Sequence, residues 1–269
     1  MINNIKFNIF NKILRKIILA YYYFKFVINY DFDFYLKLQK KKYNELDLNR
    51  SIGINKLKDL KKEFNFLDYG MSSEHQILFC CLSEKKDLPI KKILEIGTFD
   101  GSNAVLLSKI FPHATIDTYD LPDNDKFFLK TYGRDNEKKR HKFFNNRNEN
   151  LSKSSNINFY QKNSVNLILE KDKLYDLIWV DGNHAIPYVV VDIINSIRLL
   201  SKEGLIMCDD VYLKSKNDYS PYKSSGTYQL LEILQQNHIV EYKLFYKRLS
   251  ANYNAIPSER KFIGLAKIK

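Results

Sequence analysis

The sequence predicts an α/β fold: a mostly parallel sheet with helices on both faces, preceded by a helical extension. Three observations predict it. Short apolar runs such as Ile93-Leu94-Glu95-Ile96 and Tyr175-Asp176-Leu177-Ile178-Trp179-Val180 alternate with amphipathic stretches between 91 and about 212, the texture of strands buried on both faces and joined by crossover helices. The first run opens directly into Gly97-Thr98-Phe99-Asp100-Gly101 and a helical stretch. Three of the runs end in acids, at Asp120, Asp181 and the pair Asp209-Asp210.

Composition excludes several other classes. The chain has 269 residues, 45% hydrophobic and 14% aromatic, with nine glycines and six prolines, which is too apolar for a disordered chain and too poor in glycine and proline for a fibrous one. Its three cysteines, Cys80, Cys81 and Cys208, lie in apolar surroundings. An odd number so placed reads as buried thiols in a reducing compartment, which predicts a cytoplasmic protein. The net charge is +12, but Lys, Asn, Ile, Tyr and Phe are abundant everywhere. Runs such as Lys40-Lys41-Lys42 and Lys138-Lys139-Arg140-His141-Lys142 therefore read as solvated faces, and nucleic acid stays an alternative partner only.

The elements follow in chain order. Residues 1–67 form the helical extension and 68–269 the main domain. Within the extension, about 10–30 make an apolar-basic helix, in which Ile17 to Phe24 is flanked by Lys12, Arg15 and Lys16 and followed by Lys25. That apolar stretch is far short of the roughly 20 residues of a membrane span, and no small-residue cleavage site follows it. Two readings stand: a helix packed on the main domain or on a second copy in a homodimer, and a helix lying on a membrane surface. Ser73 and Gln76 have the spacing of a capping box before the buried run Ile77 to Leu82, and Pro89 closes that helix.

The strand ending at Ile96, the glycine turn, a helix over 102–110 and a second strand over 114–120 make a right-handed βαβ unit. A ligand of such a unit lies over the carboxyl ends of the strands, where glycines admit its close approach and Asp120 accepts from two ribose hydroxyls, so the ligand carries a nucleoside. The pattern Glu95-x-Gly97-x-x-x-Gly101 sets a carboxylate in the turn, which suits a cationic amino-acid group better than a pyrophosphate. A polar, irregular insertion follows over 122–156. Then come a strand over 157–160, the polar Lys162-Asn163-Ser164, a strand from Tyr175 that ends in Asp181-Gly182-Asn183-His184, and a helix over 189–200. A strand over 204–211, a helix over 224–236 and strands over 240–248 and 261–269 complete the chain. Adjacent parallel strands bring Asp181, Asp209 and Asp210 together, and three carboxylates at that range call for a hard cation, Mg²⁺ first and Mn²⁺ or Ca²⁺ as substitutes.

The turn at Glu95 to Gly101 resembles motif I of the class I S-adenosylmethionine-dependent methyltransferases. The acids and the Asp-Gly-Asn-His phrase resemble the metal-dependent O-methyltransferases of the catechol type and, more closely, bacterial macrolide-sugar O-methyltransferases. The resemblance covers about 68–212. It implies a Rossmann-like seven-stranded sheet with an antiparallel C-terminal edge. It also implies S-adenosylmethionine held by the turn Gly97, Thr98, Phe99, Asp100 and Gly101, with Glu95, Gly97 and Asn103 toward its methionine part. Asp120, with Leu121 next to it, would take the ribose, Ser164 the adenine, and Asp181 would close the edge. Asp181, Asp209 and Asp210 would hold the metal. His184 stands where the catechol-type enzymes have a catalytic lysine and suits a general base, or else serves only as a hydrogen-bonding partner of Asp181 or substrate. The expected acceptor is a hydroxyl of a small molecule or glycan, a sugar diol first. Two alternatives are a nucleic-acid methyltransferase, which lacks here the Pro-Pro-Tyr type phrase after the fourth strand, and a non-catalytic protein of the same fold. The segment Tyr212 to Ser225 reads as a substrate lid or as an ordinary surface loop.

Overall fold

Apolar residues in consecutive pairs place side chains on both faces of the sheet, and that doubles the core. In the computed structural model, which describes residues 16–18, 20–64, 73–254 and 257–269, the strands are β1 (Lys92–Ile96), β2 (Thr115–Asp120), β3 (Ile157–Gln161), β4 (Tyr175–Val180), β5 (Leu200–Val211), β6 (Val240–Tyr246) and β7 (Phe262–Ile268). They form one sheet in the order β3-β2-β1-β4-β5-β7-β6. The first five are parallel, and β7 runs antiparallel to both β5 and β6, as expected for the C-terminal edge. Ile93, Trp179 and Met207 pack on one face, and Leu94, Ile178 and Ile206 on the other, as the two-residue period of a strand requires.

Helices cover both faces. Along the chain they are α1 (described over 16–18 and 20–28), α2 (Phe32–Asn44), α3 (Arg50–Glu63), α4 (Glu74–Ser83), α5 (Ser102–Ile110), α6 (Lys126–Lys130), α7 (Glu137–Leu151), α8 (Tyr188–Arg198) and α9 (Gly226–Gln236). Tyr43, Leu48, Leu57 and Leu60 of the extension share one core with Leu78, Phe79 and Trp179. Buried Glu74 joins them electrostatically: Arg50 Nε donates to its Oε2 at 2.9 Å and Tyr43 Oη donates to the same oxygen at 3.0 Å. Helices α2 and α3 are thus built into the domain. The boundary drawn at 67 and 68, and Lys12, Ile13, Arg15 and Leu19 of the apolar-basic helix, lie outside the described residues. In α1, Tyr23 Oη donates to Asn252 Oδ1 at 2.8 Å, while Ile17, Tyr21, Tyr22, Phe24 and Ile28 are exposed. No helix among the described residues is long and apolar enough to cross a membrane.

Two expectations are corrected. Ser73 stands at the N-cap of α4 without a side-chain capping bond, because its hydroxyl pairs with His75 Nδ1 instead. The stretch 122–156 is not irregular: it holds α6 and α7, capped by Asp125 and Asn136. Helix α7 is polar enough to mislead, but its buried residue is Arg147, 1% exposed, which meets Asp123 through two bonds of 2.7 and 2.8 Å and stacks on Phe143, Phe144 and Phe159. A buried guanidinium left without its carboxylate costs far more than the pair contributes. Asp123→Ala is therefore expected to destabilise the protein by about 3 kcal/mol, measured by denaturant unfolding; a loss within the error of that measurement would show that Arg147 finds other partners.

Candidate active site

The site begins where the strands end. Gly97 follows β1 at φ +103°, and a Cβ there would lie 2.2 Å from the Asp181 carbonyl oxygen. Only glycine permits this approach. The turn is then held by Gly97 N donating to Tyr119 O at 2.8 Å and Asp181 N donating to Ile96 O at 2.8 Å, so the ends of β1, β2 and β4 form one rigid edge. Phe99 takes a left-handed φ of 50°, a conformation that costs a non-glycine residue free energy. Its N–H donates to Asp120 Oδ2 at 2.9 Å, and Leu121 N donates to Asp120 Oδ1 at 2.8 Å. Each carboxylate oxygen keeps a further lone pair for a ligand. Burial raises the Asp120 pKa, partly offset by these two N–H groups.

A cavity of about 530 Å³ opens over this edge. Gly97, Phe99, Asp120, Leu121, Ser164, Asp181 and His184 line it, as do Asp209 and Asp210. Glu95, Thr98, Asp100, Gly101 and Asn103, also expected at the cofactor, stand outside that lining and support the turn. Glu95 points into the fold beneath the turn, fully buried, where it accepts from Asn103 Nδ2 at 2.8 Å and from the Thr118 hydroxyl. Thr98 Oγ1 lies 2.6 Å from Thr118 Oγ1 in the same group. Asp100 Oδ1 accepts from Ser102 N at 3.0 Å, and Gly101 is the left-handed N-cap of α5. Tyr132 meets Phe99 at 5.1 Å and Tyr222 at 5.9 Å between ring centroids, and all three line the cavity. The segment 212–225 contributes Pro221 and Tyr222 to the wall.

Asp181, Asp209 and Asp210 come together as predicted, but what stands among them is not space for an ion. A bulge in the β5–β7 ladder between Cys208 and Val211 re-aims the acids, and Asp210 has a left-handed φ of 48°. Lys247, following β6, donates through Nζ to Asp209 Oδ2 at 2.6 Å and to Asp210 Oδ1 at 2.5 Å, and Lys261 Nζ donates to Asp210 Oδ2. Among the described residues no group of His, Cys, Asp and Glu is arranged to hold a metal ion. The donor set does not fit a divalent cation, since three of the four oxygens of Asp209 and Asp210 already bind ammonium groups. Lysine side chains thus stand against Asp209 and Asp210 where Mg²⁺ ligation by Asp181, Asp209 and Asp210 was expected, and that ligation is not shown. Burial alone would raise Asp209, but the Lys247 charge outweighs it and holds the carboxyl well below its ordinary range. Asp181, without a lysine bond, is raised by burial and by Asp209.

His184 is buried, with Nε2 3.6 Å from Asp181 Oδ1. Burial would lower its pKa; the Asp181 carboxylate, helped by Asp210 and Asp209, outweighs that and raises it. Sequence reasoning missed Lys247 and Lys261, together with Tyr132, Arg134 and Asp192 on the cavity wall. Lysine is so frequent in this chain that neither position stood out, and only the antiparallel return of β6 and β7 reveals where they point. His113 and His238 are exposed, as is His141, whereas His75 is buried against Trp179 at 4.9 Å.

Residues 94–211 match the family model described as a methyltransferase domain. Over that segment the chain thus carries a methyltransferase domain. No curated protein matches the sequence. The fold is similar to that of the O-methyltransferase TomG from Streptomyces achromogenes, solved with S-adenosylmethionine, at 15% identity and a TM-score of 0.55 over 89% of this chain and 99% of that one. It is also similar to the cofactor-bound Rv0187 from MTB, at 13% identity and a TM-score of 0.51 over 80% of this chain and 89% of that one.

Glu95 gives the site a pH signature. Burial lifts its pKa from the ordinary 4.5 to about 8, against the lowering effect of Thr118 and Asn103. The folded state therefore keeps a proton that the unfolded chain releases, and the stability tied to it is full below pH 4.5 and lost as pH rises toward 8. Glu95→Gln is expected to match the wild type near pH 5 and to exceed it near pH 8, by a few kcal/mol at order of magnitude. Thermal unfolding at the two pH values tests this; an unchanged difference between variant and wild type would refute the buried, protonated carboxyl.

Proposed function

We propose that this enzyme transfers the methyl group of S-adenosylmethionine to a hydroxyl of a small-molecule or glycan acceptor, a sugar first, with His184 as general base. The observation that carries the reading is the pair of buried His184 and half-buried Asp181 on the wall of the cavity that Gly97, Asp120, Tyr132 and Tyr222 also line. These residues fit the cofactor: Asp120 offers free lone pairs at the end of β2, the Gly97 turn has no side chain in the way, and Ser164 lines the same cavity. The cofactor supplies an electrophilic sulfonium methyl.

The protein's own contribution is alignment and proton removal, since an in-line displacement gains most from holding the acceptor oxygen near its target carbon. His184 takes the proton of the acceptor hydroxyl as the new oxygen–carbon bond forms and the sulfur–carbon bond breaks. Asp181 stabilises the imidazolium that results. Tyr132 and Tyr222, both exposed, offer ring faces to an acceptor's apolar surface. The requirement for two vicinal hydroxyls belonged to a chelating metal, and with lysines in its place one hydroxyl suffices.

Methyl transfer from labelled S-adenosylmethionine to a panel of sugars, with catechols and RNA as controls, tests the acceptor class. Incorporation into sugars is the expected result, and incorporation into RNA alone would replace this reading with the nucleic-acid one. His184→Gln is expected to lower kcat by roughly 10²–10⁴-fold while S-adenosylhomocysteine affinity stays within about threefold in calorimetry. Unchanged kcat in that variant would reduce His184 to a hydrogen-bonding partner.

A further inference from the structure

We propose that Lys247 is the resident cation of this site: its ammonium stands between Asp209 and Asp210 in the place of a divalent ion, and the transfer reaction runs without added metal. The second half rests on the methyltransferase reading above; the first half rests on geometry alone. Lys247 is 5% exposed and Asp209 is 5% exposed, so neither charge is solvated and each depends on the other. The ammonium donates to Asp209 Oδ2 at 2.6 Å and Asp210 Oδ1 at 2.5 Å, and Lys261 takes the remaining oxygen of Asp210. Among the described residues, this leaves Asp209 Oδ1 as the one oxygen of the two carboxylates without a partner, so an ion would find a single free oxygen on that pair besides Asp181.

The lysine is also fixed in place. Its N–H donates to Lys261 O at 3.0 Å, and its carbonyl accepts from Glu74 N at 2.9 Å, so the backbone on both sides is pinned. A divalent ion could enter only by displacing a buried ammonium held at both ends of its residue. An ammonium carries three donors, and two of Lys247's are used. The third is left for a ligand oxygen, which makes Lys247 a positioning group for the acceptor as well as the counter-charge of the acids.

Mn²⁺ titration of the full-length protein, followed by loss of the free-ion signal in electron paramagnetic resonance, tests the assignment, with S-adenosylhomocysteine calorimetry on the same preparation. The wild type is expected to take up no stoichiometric Mn²⁺. A Lys247→Met, Lys261→Met double variant, which keeps side-chain length and removes the charges, is expected to gain one Mn²⁺ site at least about tenfold tighter than any in the wild type, lost again on adding Asp210→Asn. Stoichiometric Mn²⁺ on the wild type, weakened by Asp209→Asn, would overturn the proposal. So would a folded double variant that takes up none, since the lysines would then not be what excludes the ion. If the double variant does not fold, by its circular dichroism, the wild-type titration decides alone. Mn²⁺ exclusion without S-adenosylhomocysteine binding would support the resident cation and sink the methyltransferase reading, while binding of both would do the reverse.

Discussion

The ends of β1 and β4 approach so closely that no side chain fits between them, and the rest of the site is arranged around that contact. A Cβ on Gly97 would fall 2.2 Å from the Asp181 carbonyl oxygen. Because the turn passes that close, Asp181 N reaches Ile96 O and Gly97 N reaches Tyr119 O, both at 2.8 Å. Three strands are thus tied at one edge, and the side chains that follow them, Asp120, Asp181 and His184, inherit fixed positions. The strain of the left-handed Phe99 sits on this frame and is held by its bond to Asp120. Pre-organisation of this kind is what a displacement reaction needs, since alignment is the larger part of its catalysis.

Such an edge collects negative charge, and the charge must be met from elsewhere in the chain. The answer comes from both termini. Lys247 and Lys261 arrive on the C-terminal hairpin of β6 and β7. The end of β6 is held by the extension: Gln39 Nε2 donates to Tyr246 O at 3.1 Å, Tyr246 N donates to Gln39 Oε1 at 2.9 Å, and Glu74 N donates to Lys247 O at 2.9 Å. Glu74 is in turn fixed by Arg50 and Tyr43. The helices before the sheet therefore act on the site without touching the cofactor edge, by placing the strand end from which Lys247 reaches the acids.

This division explains what was legible in the residues and what was not. The sheet was legible because parallel strands are continuous apolar runs, and those from Ile93, Tyr175 and Gly204 have no other reading. The turn was legible because Gly97 and Gly101 stand where only positive φ serves. The acids were legible because each closes a strand. The lysines were not, since a lysine after an edge strand is ordinary in a chain this rich in lysine, and its meaning lies in an antiparallel return that brings residues 209 and 247 together. The polar helix α7 was hidden for a related reason: it buries a guanidinium, Arg147, and no apolar stripe announces it. For Glu95 and Asn103, motif position says that they are near the turn but not which way they face. In this strand Glu95 faces the fold, with Asn103 and Thr118 as its partners.

Replacing an ion by an ammonium changes what the site selects. A divalent cation accepts several ligand oxygens at once and lowers the pKa of each, so a chelating diol is its natural acceptor. An ammonium already bound to two carboxylates has one directed N–H to give, and it orients a single oxygen without greatly acidifying it. Proton removal then falls more heavily on the base. On the proposed reading His184 serves that role: Asp181 raises the imidazole's affinity for a proton, and the lysines engage Asp209 and Asp210 and leave Asp181 to the imidazole. On the proposed reading, selectivity between acceptors would pass from chelation to the shape of the cavity that Tyr132 and Tyr222 line. One substitution of charge at the end of β6 thus redistributes the tasks of activation, positioning and recognition among residues that a metal would otherwise have combined.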